Sequence, residues 1–343
     1  MLHKDVENQV LGVYKRVNPS LRKIEESDNI FKSQMDNRRA ILHELCLPDL
    51  LFMGKRVLEI GGGTGENSLY YAMNGAKVTI VEPNEISCSR AKEIFRMHNL
   101  HVQVINKSLF DLDANILKEF DIVIAEGVIH HTHNTMRALK IILDGVRVDS
   151  LVVIAIPEYH GWFKRYLQRL LVSISSQNEN EIVFNAKKFF QSHLDRAVKY
   201  GLREEENVIY DTFVNPQIEV NKLKDILKVF FENDIEYYSS YPTLNLFNET
   251  SPWSKTKVNR FDYAYYEPYY KILEKVWMCS GEESLSRDMQ DFKTFLDRLD
   301  RESSVLFDLE LKILNNEYKS EDLLPIQNGY LGQGMNYFVG VKK

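Results

Sequence analysis

Arg56 to Gly65 reads RVLEIGGGTG, an apolar, β-prone run that carries a carboxylate at Glu59 and then places Gly61, Gly62, Gly63 and Gly65 within five positions. Glycine removes Cβ where a chain turns sharply out of a strand, so backbone at such a turn lies directly against a ligand. The chemistry predicted is binding of a nucleotide-type molecule. The helix that follows from Glu66 presents its N-terminus, with Asn67, to that ligand. A dinucleotide fingerprint needs its third glycine three positions after the second. Glu66 stands there instead, and the pattern is acidic-x-Gly-x-Gly-x-Gly. A second carboxylate, Glu82, followed by Pro83, ends the apolar run AKVTIVEPN. It falls roughly 20 residues beyond the first glycine, where nucleotide-binding βαβ units place the group that accepts from both ribose hydroxyls.

Proton chemistry is offered further along, in FDIVIAEGVIHHT, Phe120 to Thr132. An apolar strand there delivers Glu126, Gly127, His130 and His131 to the carboxyl edge of a sheet, beside the switch point where ligands bind. A histidine titrating near neutrality can take a hydroxyl or ammonium proton. His131 is the expected general base and His130 its substitute. The competing reading of both is a hydrogen bond to backbone at the strand end. No metal is expected, because three imidazoles at His130, His131 and His133 have no cysteine or spaced carboxylate to complete a ligand set.

Together these runs resemble class I S-adenosylmethionine-dependent methyltransferases, specifically the small-molecule branch that includes quinone-biosynthesis methylases and their bacterial relatives. The resemblance covers roughly Lys55 to Glu158 and the last two strands. It implies an α/β, Rossmann-like doubly wound sheet of seven strands, strand seven antiparallel, with helical lid insertions. It also implies that Glu59, Gly61, Gly62, Gly63, Gly65, Asn67, Glu82, Pro83, Ser108, Leu109, Glu126 and Gly127 hold S-adenosylmethionine. Ser108 and Leu109 follow a third strand, VQVI, and face the adenine; most relatives carry Asp where this chain has Ser108. The implied activity is methyl transfer to a small-molecule acceptor, at oxygen or nitrogen, by in-line displacement. Amino-group methyltransferases of DNA and RNA carry an Asp/Asn-Pro-Pro-aromatic run after strand four, and this chain has no Pro-Pro pair. An RNA methyltransferase is the alternative enzyme; a cofactor-binding but catalytically silent regulatory or scaffold subunit is the alternative of another class.

Positioning these residues requires a large domain with insertions. The chain has 343 residues, 44% hydrophobic and 27% charged, enough for a substantial core and more than a bare sheet of this kind needs. A net charge of −6 argues against nucleic acid as a partner. No run approaches a membrane span and MLHKDVENQV has no apolar h-region, so a cytoplasmic protein is expected. Cys46, Cys88 and Cys279 are too few for a disulfide framework and read as packing residues. The order predicted is an N-terminal helical cover (1–54), a cofactor-binding core (55–160), a helical substrate lid (161–217), the core continued (218–242), a second helical insertion (243–328) and a C-terminal core strand (329–343). Arg38 and Arg39 read as a solvated helix face, and Pro252 and Pro268 as helix breaks. The lid is expected to enclose substrate separately from core formation. Two clusters compete for an acceptor site. Trp162, Arg165 and Tyr166 can grip an anionic or sugar-like substrate or pack inward on an amphipathic helix. Tyr266, among Phe261, Tyr263, Tyr265, Tyr269 and Tyr270, can line a pocket or fill a core. The sequence leaves the oligomeric state open.

Overall fold

A computed structural model of the chain describes residues 3–18, 21–113, 115–245, 258–279, 292–328 and 331–343. Short runs rich in Val and Ile form β1 (Arg56–Ile60), β2 (Lys77–Val81), β3 (Val102–Ile105), β4 (Ile122–Glu126) and β5 (Leu151–Ile156), all parallel. Successive side chains point to opposite faces. Leu58, Ile60, Val123, Ala125, Val152 and Ile154 enter one buried cluster, whereas Val57, Val78, Ile80, Ile122, Ile124 and Val153 enter another. Both faces are therefore dry, which is why these strands read as continuous apolar runs rather than as alternation. The chain completes the sheet with β6 (Ile235–Tyr241) and β7 (Asn336–Lys342), in the order β3-β2-β1-β4-β5-β7-β6. β7 is antiparallel to both neighbours, and a bulge between Tyr237 and Ser239 interrupts its register with β6. This is the seven-stranded, doubly wound sheet that the sequence implied.

Helices cover both faces. Against the second cluster lie α2 (Asp28–Glu44), α3 (Glu66–Met73) and α4 (Glu85–Met97), after α1 (His3–Arg16), which crosses the carboxyl edge of the sheet. Side-chain caps start several of them: Asn84 Oδ1 accepts from the Ile86 N–H at 3.1 Å to open α4, and Asn134 Oδ1 from the Arg137 N–H at 2.8 Å to open α5 (Thr135–Gly145). The other face carries α5, α6 (Tyr159–Ile174), α7 (Glu179–Gly201), α8 (Glu205–Ile209), α9 (Leu223–Glu232), α10 (Tyr263–Cys279) and α11 (Phe292–Leu314). Fully buried Glu158 starts two helices at once. Its carboxylate accepts from the Gly161 N–H at 2.9 Å in α6 and from the Leu223 N–H at 3.2 Å in α9, with His160 Nδ1 at 2.9 Å. The apolar spacing predicts a helix from Ile218, but α9 begins only at Leu223, since Asn221 pairs with Glu158 as an extended bridge.

Three expectations change. Phe163, Leu167 and Leu171 of α6 and Phe190 and Leu194 of α7 are buried in the same cluster as β4 and β5, so this segment builds the core as well as covering it. Packing describes Cys88 and Cys279, which are buried, but not exposed Cys46. Pro268 sits inside α10 and does not break it; Pro252 lies outside the described residues. Among the described residues no helix is long and apolar enough to cross a membrane.

Candidate active site

Strand order reverses between β1 and β4, and the crevice at their carboxyl ends opens into a cavity of about 670 Å³. Its floor is the turn out of β1. Gly61 adopts φ +66°, and a Cβ there would fall 2.2 Å from Val128 Cγ2. Gly65, at φ +88°, caps α3, with Ala91 Cβ 3.0 Å from where its own Cβ would stand. Only glycine fits either position. Gly62, Gly63, Glu66 and Asn67 continue the same wall.

At the end of β2, buried Glu82 accepts from the Gly63 N–H at 3.1 Å on one oxygen and from the Asn84 N–H at 2.8 Å on the other. A carboxylate has about four acceptor positions, so two remain for a ligand. Burial pushes its carboxyl up to about 7, against the two backbone donors. Pro83, Ser108 and Leu109 line the cavity beside it. Ser108 Oγ donates to Glu7 Oε2 at 3.3 Å, and the other Glu7 oxygen lies 2.7 Å from His133 Nδ1, which ties α1 over this end.

The opposite end is built from buried charge. Glu59 lies under the turn, accepts from the Ser68 hydroxyl, and is pushed up to about 7 by burial, with Arg38 and Ser68 pulling the other way. Glu126 pairs with Arg38 and accepts from the Tyr337 hydroxyl at 2.8 Å. Arg38 is 2% exposed and also donates to the Tyr71 hydroxyl, which overturns the solvated reading of that residue. Its neighbour Arg39 does face solvent, pairing with Asp49 at 3.2 Å. One position along the helix, a rotation of about 100°, separates the two fates.

After β4 the chain passes Gly127, at φ +69°, into a short turn bearing Ile129–His131. His130 and His131 both line the cavity, with ring centroids 3.9 Å apart. Burial first, and His131 second, hold the His130 imidazole well below its ordinary range, and its Nδ1 is buried without a hydrogen-bond partner among the described residues. His131 Nδ1 lies 2.8 Å from the Gln217 carbonyl and 3.1 Å from Asn215 Nδ2. A carbonyl only accepts, so the shorter contact places the hydrogen on Nδ1 and the lone pair on Nε2. That Nε2 lies 3.8 Å from Asp211 Oδ1. Burial lowers the His131 pKa, partly offset by Asp211 and Gln217, and keeps the ring neutral at pH 7. Asp211 in turn accepts from Arg203 at 2.8 Å and from the Tyr14 hydroxyl at 3.3 Å.

The structure thus gathers every residue that the resemblance names for the cofactor around one cavity, apart from Gly65, which shapes the turn from behind. The four expected acceptor contacts stand elsewhere. Trp162 is buried in the core, Arg165 donates to the Leu331 and Gly332 carbonyls at 3.4 and 3.3 Å, Tyr166 packs against Phe163, and Tyr266 packs on Tyr270 beneath Arg260. None lines the cavity. Phe261 and Tyr270 are fully buried and pack in the core, whereas Tyr265 of the same cluster faces solvent. Sequence reasoning missed Tyr14, Arg22, Arg203 and Asp211, which do line it. Their positions carry no local pattern; only the tertiary fold brings them to the turn.

The fold and the switch-point cavity define an S-adenosylmethionine-dependent methyltransferase. Residues 31–207, more than half of the chain, match the family described as methyltransferase domain, and the protein belongs to that family. Its cofactor is S-adenosylmethionine, the methyl donor of that family. No curated protein matches the chain. Among solved structures, PKMT2 from Rickettsia typhi shares the fold at 13% identity and a TM-score of 0.52, over 91% of this chain and 53% of that one. The chain therefore spans about half the length of that protein. Magnesium protoporphyrin IX methyltransferase from Synechocystis PCC 6803, with bound SAM, matches at 12% identity and a TM-score of 0.38, over 64% of this chain and 76% of that one.

Proposed function

We propose that the protein methylates an oxygen or nitrogen atom of a small-molecule acceptor, with His131 as general base. The cavity fits the cofactor. The turn at Gly61 lets bare backbone pass against Val128 in the cavity wall, where a Cβ would clash, and Glu82 keeps two acceptor positions free beside it. Glu59, Gly61, Gly62, Gly63, Asn67 and Glu126 would hold the amino-acid end, and Glu82, Pro83, Ser108, Leu109 and Gly127 the nucleoside end. S-adenosylmethionine supplies a methyl group already activated by its sulfonium. What remains for the chain is to align the acceptor, exclude water and take a proton. Exclusion falls to α1 and to the segment from Gly201 to Asp211, which close over the cavity. A volume of about 670 Å³ lies within the range of small-molecule sites, ~300–1,000 Å³.

One observation carries the base assignment: the 2.8 Å contact between His131 Nδ1 and the Gln217 carbonyl, which leaves the Nε2 lone pair on the side of Asp211. After Nε2 takes a proton, Asp211 and Gln217 O flank the imidazolium and stabilise it. The test is His131→Gln in a metabolite screen with radiolabelled methyl donor. Turnover should fall by about 100- to 10,000-fold, while S-adenosylhomocysteine affinity and melting temperature stay near wild type. Undiminished turnover would remove the base role from His131. A wild-type protein that binds the cofactor yet labels no metabolite would favour the silent-subunit reading instead.

A further inference from the structure

Arg22 stands in the cavity wall between the start of α3 and the end of α7. Its main-chain N–H donates to Glu66 Oε1 at 3.3 Å, and its Nε donates to the Gly201 carbonyl at 3.3 Å. These bonds orient the guanidinium fork, yet Nη1 and Nη2 have no hydrogen-bond partner among the described residues. Of the carboxylates around it, Glu66 accepts from Thr64 and from the Arg22 main chain but not from the guanidinium, Glu126 is engaged with Arg38 and Tyr337, and Glu59 with Ser68. The nearest second cation, Arg203, gives its Nη1 to Asp211 at 2.8 Å. Burial, and then Arg203, depress the Arg22 pKa, so the charge sits where water does not fully compensate it. An oriented, partly desolvated fork with two open donors matches a carboxylate or phosphate in bidentate geometry. Its anchor is the lid residue Gly201, on the side of Arg203, Asp211 and His131, where the acceptor's proton leaves. We infer that Arg22 recognises a carboxylate or phosphate group on the methyl acceptor, so that the acceptors are acidic small molecules.

This inference rests on the methyl-transfer reading above. It is tested on the full chain saturated with S-adenosylhomocysteine, into which benzoate, benzamide and inorganic phosphate are titrated by calorimetry. Benzoate or phosphate should bind and neutral benzamide should not. Arg22→Gln should weaken the anion by about tenfold or more and leave S-adenosylhomocysteine affinity unchanged. Arg22→Lys keeps the charge without the fork; it should fall between the two, and carries the comparison if the Gln variant does not fold. Lys140→Gln, an exposed charge on α5 paired with Asp144, should change neither. Absence of anion binding, or equal binding to wild type and Arg22→Gln, overturns the inference. The second source of a carboxylate is the cofactor itself. If Arg22→Gln weakens S-adenosylhomocysteine but not its decarboxylated analogue, the guanidinium serves the cofactor and the acceptor assignment is wrong. Failure of wild type to bind S-adenosylhomocysteine at all would strike the methyl-transfer reading, a separable result.

Discussion

Replacing Glu82 with Gln should cost the protein its cofactor while stabilising it at alkaline pH. Each carboxylate oxygen already accepts one backbone N–H, from Gly63 and from Asn84. Gln turns one of those oxygens into an amide that confronts a backbone donor, and removes the charge that strengthens bonds from two ribose hydroxyls. Hydrogen bonds to charged groups contribute about 1.5–3 kcal/mol each, so a loss of about 2–3 kcal/mol, or roughly 30- to 150-fold in Kd, is expected. The pH dependence follows from burial, which holds Glu82 and Glu59 at about 7 against an ordinary 4.5. A folded state that keeps a proton the unfolded chain has released loses stability as pH rises between those two values. The size is about 3 kcal/mol for each group. Binding runs the other way, because the ligand's hydroxyls donate to the charged form. Wild-type affinity for S-adenosylhomocysteine should hold above about pH 7 and fall by up to about tenfold per unit below it. Calorimetry and thermal scans of wild type and Glu82→Gln between about pH 5 and about pH 8 separate the two effects. The variant should lose the Glu82 share of both slopes, leaving that of Glu59. Identical affinity and identical stability slopes in the two proteins would refute the ribose role and the buried-charge argument together.

Three further outcomes are expected. Asp211→Asn withdraws the charge 3.8 Å from His131 Nε2, so the acid limb of the pH–rate profile should move down by about 1–3 units with little change in cofactor affinity; an unmoved limb would separate Asp211 from the base. Arg38→Met strands the Glu126 carboxylate beside a buried methionine and should cost about 3–5 kcal/mol in a denaturant titration; adding Glu126→Gln should restore part of it, and an additive double mutant would contradict the pairing. Replacing 161–217 with a Gly/Ser linker should prevent folding, since Phe163, Leu167, Leu171, Phe190 and Leu194 are core residues whose individual loss costs about 2–5 kcal/mol against a total stability of about 5–15 kcal/mol. A folded, cofactor-binding deletion protein, seen by circular dichroism and calorimetry, would show that lid and core are separable after all.

The legible part of this site is the part written in local backbone geometry. A left-handed turn that excludes Cβ at Gly61 can be met only by glycine, and a parallel βαβ unit fixes where Glu82 must fall, so both announce themselves as spacing. The strands were legible for a similar reason, being buried on both faces. Arg38 illustrates what spacing cannot carry. It sits next to Arg39 on one helix, and only the arrival of Glu126 from β4 decides which of the two is buried. Tyr14, Arg22 and Asp211 are hidden in the same way: each lies in an unremarkable helix or loop and gains its meaning from a neighbour far along the chain, Asp211, Gly201 and His131 respectively. Aromatic density misled for the converse reason. Tyrosines and phenylalanines contribute so much buried area that a cluster of them is what the core between α6, α10 and α11 requires.

That division decides where acceptor specificity can reside. The long helices α6 and α7 contribute only Gly201, at the very end of α7, to the cavity; Trp162, Arg165 and Tyr166 spend their side chains on the core or on backbone carbonyls near β7. The cavity wall on that side comes instead from α1, from Arg22, and from Gly201, Arg203 and Asp211. These segments meet in part through polar contacts, Tyr14 to Asp211 and Arg22 to Gly201. Such contacts net only about 0.5–1.5 kcal/mol each, so this cover can part to admit an acceptor without disturbing the core beneath it. Substitutions that change the substrate should therefore map to these short segments, whereas substitutions in α6 and α7 should register as lost stability first.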